Sequence, residues 1–467
     1  MSRGICNPTF YKLNWSSTRG TKRYQFGLKS TWPACCIFWP LCRSFAARNL
    51  FSMEPSFVEK HDPYAALKVP EFRLYVAARW CITIALQIQA VVVGWQIYQI
   101  TKDPLSLGLI GLAEAIPSII VALYAGYIAD NYNRKMIIIS TISVLVFCSA
   151  ALLFFTLDAG KTILAIGVLP IYLVIFLSGI ARGFLGPANF SFMPQLLPHR
   201  RYYANAITWS STTWQAASVA GPAIGGLLFG FLGITAAYAV DVALTVLALG
   251  FYLLIKAKPL PETSEKLSMK ESLLSGIKFV FGNQLILGAI SLDLFAVLFG
   301  GAVALLPIFA SDILQTGPQG LGFLRAAPAI GSVLMALYLA HRPINVNAGK
   351  KMLLCVAGFG VCIILFGISR NFWFSLAMLA LSGMFDSISV IIRSTLIHTF
   401  TPEYMKGRVS AVNNIFVGSS NEIGSFESGA VARLMGVVPS VVFGGCMTIL
   451  VVGITALKAK KLRNLQM

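Results

Sequence analysis

Apolar residues run along this chain in long blocks, and polar residues collect in the short gaps between them. Between Leu74 and Lys458 about twelve blocks reach the roughly 20 residues that a helix needs to cross the hydrocarbon of a bilayer. They fall at approximately 73–99, 105–129, 136–157, 162–187, 205–231 and 234–256, then at approximately 284–311, 319–341, 351–369, 373–398, 409–433 and 437–458. None alternates with the period of two that marks a barrel strand, and in lipid only helices or closed barrels satisfy every backbone polar group. The pattern predicts an all-α integral membrane bundle. Between the two sets of six lies a polar stretch from Lys256 to Phe281. Its part from Ser268 onward mixes charges with Leu273, Leu274, Ile277 and Phe281, the pattern of an amphipathic helix lying on the inner face.

The two sets resemble each other. Gly111-Leu-Ala-Glu114-Ala-Ile-Pro117 matches Gly322-Phe-Leu-Arg325-Ala-Ala-Pro328. Ser178-Gly179, Pro198 and Gly225 match Ser382-Gly383, Pro402 and Gly429 at one constant offset. Two matches in the same order imply two six-helix repeats around a central cavity, opening to each side in turn as one half rocks against the other. The charges differ at matched positions: Glu114 corresponds to Arg325, and Arg182 to Asp386. The expected organisation is a basic extension over 1–72, six-helix bundles over 73–256 and 284–458, a linker over 257–283 and a basic tail over 459–467.

Composition agrees. The chain is 57% hydrophobic and 12% charged, whereas soluble domains carry about 25% charged residues. Its formal net charge of +19 does not call for nucleic acid. Lysines and arginines collect in loops on one side, including Arg134, Lys135, Arg200, Arg201, Lys256, Lys350, Lys351 and Lys406, with few on the other, such as Lys102 and Arg370. By the positive-inside rule both termini are cytoplasmic. Residues 1–53 hold no acid and several bases, and their apolar patch Trp32–Cys42 is broken by Pro33 and Pro40. That segment is expected to be a start called too early, with Met53 the true beginning, or else an organelle transit peptide. Nine cysteines show no metal-ligand spacing; those in the spans read as small apolar fillers. No metal or cofactor is expected.

Between the second and third blocks stands Gly126-Tyr-Ile-Ala-Asp130-Asn-Tyr-Asn-Arg134-Lys135, a charged insertion in an apolar chain. It resembles the loop signature of the major facilitator superfamily of secondary transporters. The resemblance implies the superfamily's twelve-helix fold, and a cytoplasmic gate formed by Gly126, Asp130, Arg134 and Lys135. Asn131 and Asn133 depart from the family pattern. In the fifth block, Ala217, Gly221 and Gly225 recur every fourth residue, with Pro222 and Gly226 beside them, which permits close helix packing and a bend. That string resembles the superfamily's antiporter signature and implies export. Arg182 with Gly186 resembles its fourth-helix arginine–glycine pattern, associated with proton coupling. Thr401-Pro402-Glu403-Tyr-Met-Lys406-Gly407-Arg408, together with Pro63-Tyr64, Phe72-Arg73 and Gly276–Val280, is similar to the enterobactin-exporter and macrolide-efflux-like branch of drug:proton antiporters. Members are bacterial inner-membrane proteins, so that location is expected here, and working as a monomer.

Ionisable residues inside a membrane are expensive and point to function by default. Glu114, Asp293, Asp386 and Glu422 fall near mid-bilayer, with Arg182 as a charge partner; these are the proton-coupling candidates, Glu114 and Asp293 first. Asp241, Arg79, Arg325, Arg393 and Glu427 lie nearer block ends, where snorkelling or structural pairing explains them as well. A cavity for an amphipathic molecule needs apolar walls with a few polar handles. Candidates are Gln87, Gln89, Gln96, Trp214, Gln215, Phe295, Phe299, Asn413, Asn414 and Phe416. The expected function is export of an amphipathic small molecule such as a drug or siderophore, driven by the proton gradient. A facilitator or importer without proton coupling, and a non-transporting membrane sensor, are the alternatives. An enzyme is disfavoured. The four histidines do not cluster, and Gly160-Lys161-Thr162 lacks the first glycine of a phosphate loop because Phe155 stands there.

Overall fold

Twelve long helices follow one another among the described residues, and the reasons for their ends are local. In the computed structural model the described residues are 64–467 without 165–166, 257–268, 342–346, 403–404, 464 and 466–467. Expectations for residues 1–63, and for the first part of the linker, lie outside them. α1 is Pro70–Thr101, α2 Pro104–Asn131, α3 Arg134–Phe154, α4 Leu169–Phe192, α5 Tyr203–Leu232 and α6 Ile234–Leu254. α7 is Gln284–Phe299, α8 Gly317–His341, α9 Ala348–Ile368, α10 Phe372–Phe400, α11 Lys406–Met435 and α12 Val437–Lys458. Proline opens α1 and α2 at their first positions, where its missing N–H costs nothing. Asp103, Asn133, Asn283 and Asn371 cap α2, α3, α7 and α10 by accepting first-turn N–H groups. Gly233 (φ 86°) and Gly436 (φ 96°) make the one-residue joints α5–α6 and α11–α12, in a backbone conformation that only glycine adopts readily.

Two blocks end differently from the sequence expectation. The fourth does not begin near 162. Asp158–Leu164 forms a separate short helix, Gly167 takes φ 120°, and Pro170 sits in the first turn of α4. The seventh block is not one uniform helix. Past Gly300 and Gly301 it continues through a 3-10 turn, Ala302–Leu305, and a π turn, Phe309–Ile313. Among the described residues, eleven helices are long and apolar enough to cross a membrane. α11, matching the predicted span 409–433, has the length but is too polar to count among them.

Helix pairing repeats at an interval of six. α1 packs on α5 and α6 as α7 packs on α11 and α12. α2 packs on α4 as α8 does on α10; α3 packs on α4 and α6 as α9 does on α10 and α12. Two heavy pairings cross between the sets, α2 with α11 and α5 with α8, and these too exchange under the same shift. A helix set and its copy related by one rotation produce this table of pairs. The linker helix, Met269–Gly282, packs against α11.

The hydrophobic cores show which side is shut. Around Phe72, Tyr75, Phe192 and Tyr252, a core on the linker side belongs to the first set alone. Its counterpart around Ile286, Met352 and Leu396 belongs to the second alone. On the far side one core is shared: Trp95, Tyr98 and Leu107 of the first set pack with Leu305, Phe309, Leu321 and Phe366 of the second. The halves are fused away from the linker and hold separate cores beside it.

Candidate functional site

The site lies where α2, α4, α8 and α11 meet. Glycine makes this junction possible. At the α5–α8 crossing, Gly226 lies so close to Gly322 that a Cβ on it would stand 2.5 Å from the Gly322 Cα. At the α2–α11 crossing, a Cβ on Gly429 would stand 2.8 Å from the Gly108 Cα. One α-turn on, the Glu422 carboxylate lies over Gly111, 3.2 Å from where a Cβ there would be. With side chains so small, charged neighbours on the same helices reach across.

Four charges gather. Arg182 of α4 forms an ion pair with Glu114 of α2, half-buried on both sides. Glu422 of α11 lies within electrostatic reach of Glu114, Arg182 and Arg325, and Arg325 of α8 within reach of Glu422 and Glu114. Among the four, only Glu114 and Arg182 form an ion pair within 4 Å; Glu422 and Arg325, from the second half, act on that pair and on each other at longer range. Arg325 was missed as a site residue because it stands only two turns from the start of α8. The repeat match to Glu114 was the signal that could have found it.

Beyond the quartet the junction is latched. The Tyr98 hydroxyl at the end of α1 donates to the Asp312 carboxylate beyond α7. Gln99 Nε2 donates to Ser311 Oγ at 3.5 Å. Arg433 lies 3.6 Å from Asp103, tying α11 to the loop before α2. All three join the halves on the side away from the linker. None was legible before the halves were placed together.

Asp293 is elsewhere. It forms an ion pair with Arg393 of α10 inside the second half, and both side chains are 5% exposed. Arg393 thus does not snorkel; among the two sequence readings, the structural pair holds. Next to them Asp293, Asp386 and Ser389 line a cavity of about 10 Å³, room for a single water. Ser389 Oγ is buried without a hydrogen-bond partner. Asp241 lies fully buried in the first half, with neither carboxylate oxygen in a hydrogen bond of normal geometry.

Other sequence candidates fall into three groups. Gln96 is corrected: its amide oxygen accepts from Tyr238 at 2.7 Å inside the first half, so it is spent there. Phe416 is half-buried and packs on the second half's linker-side core. Gln89 is buried, Gln87 packs against Gly221 on the α1–α5 face, and Asn413 Oδ1 is buried. Trp214 and Gln215 are exposed, on the arc of α5 between Gly221, which faces α1, and Gly226, which faces α8. Phe295 is exposed and Phe299 half-buried on α7. The side chains of Gly126, Asp130 and Asn414 lie outside the described residues.

The basic half of the loop signature acts within the first half. Lys135 Nζ donates to the Leu253 carbonyl at 3.0 Å and to that of Ile255, satisfying carbonyls at the end of α6 where a cation is favoured. Arg134 Nη1 donates to the Ser191 carbonyl at 3.0 Å. Ala217, Gly221 and Gly225 form the α1-facing stripe of α5; Pro222 and Gly226 belong to the α8 crossing. The small-residue string therefore seats α5 on two helices, one in each half. Among the described residues no three histidine, cysteine or acidic side chains are grouped to hold a metal ion.

The sequence profile of the transmembrane secretion effectors, a family of the major facilitator superfamily, matches residues 61–467. The enterobactin exporter EntS of Escherichia coli O1:K1 is 28% identical over 393 residues, which cover 83% of this chain and 91% of that protein. EntS of Shigella dysenteriae serotype 1 is similar to the same extent. Among solved structures, the POT family transporter PepTSo superposes with a TM-score of 0.66 at 14% identity, over 84% of this chain and 98% of that one. The nucleoside transporter NupG does so with a TM-score of 0.62 at 14% identity, with the same coverage. At such identities these structures speak for the fold.

Proposed function

On the premise that the chain belongs to the transmembrane secretion effectors of the major facilitator superfamily and is a multi-pass transporter, we propose that it exports an amphipathic small molecule, of the siderophore or drug kind, in exchange for protons. Its termini and linker face the cytoplasm on this reading, as the basic loops suggest. The observation that carries it is the quartet Glu114, Arg182, Arg325 and Glu422 at the junction of the halves.

Four ionised groups inside a bilayer are costly unless paired. Here each half contributes one acid and one arginine, Glu114 with Arg182 and Glu422 with Arg325, so the halves part without leaving a net charge in either. Parting on the outer side breaks the contacts between the halves' charges, the ties Tyr98–Asp312, Gln99–Ser311 and Arg433–Asp103, and the packing of the shared far-side core. Outer water then reaches Glu114 and Glu422. A proton arriving on either carboxylate weakens its hold on the neighbouring arginines, and the rearranged cluster no longer matches across the junction as before. Closing outside and opening inside returns the proton to the cytoplasm, where cargo enters. The structure's shared far-side core and separate linker-side cores fit the cargo-loading stage of that cycle. The EntS relatives, named as enterobactin exporters, favour outward movement and a siderophore-like cargo.

The test is uptake into inside-out proteoliposomes with an imposed proton gradient, using a catecholate siderophore and a lipophilic dye as alternative cargoes. Acidic interior should drive accumulation of one of them. The variant Glu114→Gln should fold and bind but lose the dependence on the gradient. Accumulation that ignores the gradient would replace this reading by a facilitator.

A further inference from the structure

At the opposite end of the second half from the quartet, the linker helix turns into α7 beside a cleft of about 600 Å³. Lys278 and Lys461 stand on its walls, with Phe279, Leu285, Asn283 and Gln284 between them, and no acid lines it. The two lysines come from parts of the chain that are both fixed. The linker helix is held through Val280, which is fully buried, and through Arg408 Nη1, which donates to Ser275 Oγ at 3.0 Å. Lys461 rides on the short helix Lys460–Arg463, whose Leu462 is buried and lies 3.5 Å from a Cβ placed on Gly288. On the linker helix, Leu274 and Phe281 share the face of Lys278 at helical spacing, and they are 65% and 57% exposed. The span of α7 starts at Gln284, so cleft and exposed face sit at the depth of the lipid headgroups.

We propose that this cleft binds the headgroup of an anionic membrane phospholipid, with Lys278 and Lys461 on its phosphate and Leu274 and Phe281 against its upper acyl chains. A solvated charged face explains the lysines but not the two large apolar side chains beside them. A lipid satisfies both, because basic side chains at an interface take anionic headgroups while their apolar neighbours enter the acyl boundary. The site joins three separate pieces, the linker helix, α7 and the C-terminal helix, so an occupied cleft clamps the linker to the second half.

The full chain, purified in detergent, is titrated with phosphatidylglycerol, phosphatidylcholine and inorganic phosphate. Thermal stability and lipid retained in native mass spectrometry are the readouts. Phosphatidylglycerol should bind and stabilise, and the other two should not. Lys278→Gln with Lys461→Gln should weaken phosphatidylglycerol about thirtyfold, at roughly fivefold per basic side chain near an anionic surface. The Lys278→Arg, Lys461→Arg variant should retain it, which shows that the cleft still folds. Lys350→Gln with Lys351→Gln, exposed on the same side at the start of α9, should also retain it. Equal loss in that control, unchanged binding in the double glutamine variant, or equal stabilisation by phosphate alone overturns the proposal.

Discussion

Gly226→Ala places one methyl group at the α5–α8 crossing. Its carbon would stand 2.5 Å from the Gly322 Cα, 2.7 Å from the Pro318 carbonyl oxygen and 2.8 Å from the Gly322 nitrogen. Carbon atoms in contact settle at about 3.5–4.0 Å, so the helices must part by roughly 1 Å. The opposing atoms are backbone and have no rotamer to give. Forced overpacking of this kind costs about 1–3 kcal/mol, which is roughly 5- to 150-fold in an equilibrium between two global states. The strain falls on the junction, not within either half, so it disfavours the far-side-closed state and spares the folding of each bundle. Spin labels at exposed Leu157 and Trp373 in otherwise cysteine-free protein report the far-side separation. Gly226→Ala should add a longer-distance population. Gly250→Ala and Gly453→Ala, whose added carbons meet nothing within 4 Å, should leave the distribution alone. An unchanged distribution for Gly226→Ala, in folded protein, would refute the crossing as the contact that holds this state.

Further outcomes follow from the same geometry. Asp293→Asn leaves Arg393 charged and nearly buried, and removing one partner of such a pair costs about 3–5 kcal/mol; thermal unfolding in detergent should show a large loss, recovered in part by adding Arg393→Met. Tyr98→Phe removes the hydrogen bond to Asp312, worth about 1.5–3 kcal/mol for a charged acceptor; a cysteine placed at Gln99 should react faster with a membrane-impermeant thiol reagent. Lys135→Met should loosen the end of α6 by uncapping the Leu253 and Ile255 carbonyls, seen as faster amide exchange there with little effect on far-side distances.

Much of the fold was legible because crossing a bilayer imposes a length and an apolar composition on each helix, and both survive window averaging. The start of α4 escaped because residues 162–168 are apolar enough to extend a block, while Gly167 and Pro170 end it by backbone geometry. Side-chain direction was less legible. A helix apolar on nearly all sides has no stripe to orient it, so Gln96 could not be separated from pathway residues until Tyr238 was seen beside it. Pairings such as Asp293 with Arg393 join residues about a hundred positions apart, and only the packing of α7 near α10 brings them together. Arg325 shows the opposite case: the repeat match to Glu114 had already put it in the right place.

The most direct test is proton movement coupled to cargo. Protein in sealed liposomes holding a pH-sensitive dye is presented with a cargo gradient and no imposed pH difference. The quartet account predicts that cargo moving one way drives protons the other way, and that Glu114→Gln with Glu422→Gln abolishes this flux in folded protein. Cargo movement without any proton flux, or undiminished flux in that double variant, would contradict it.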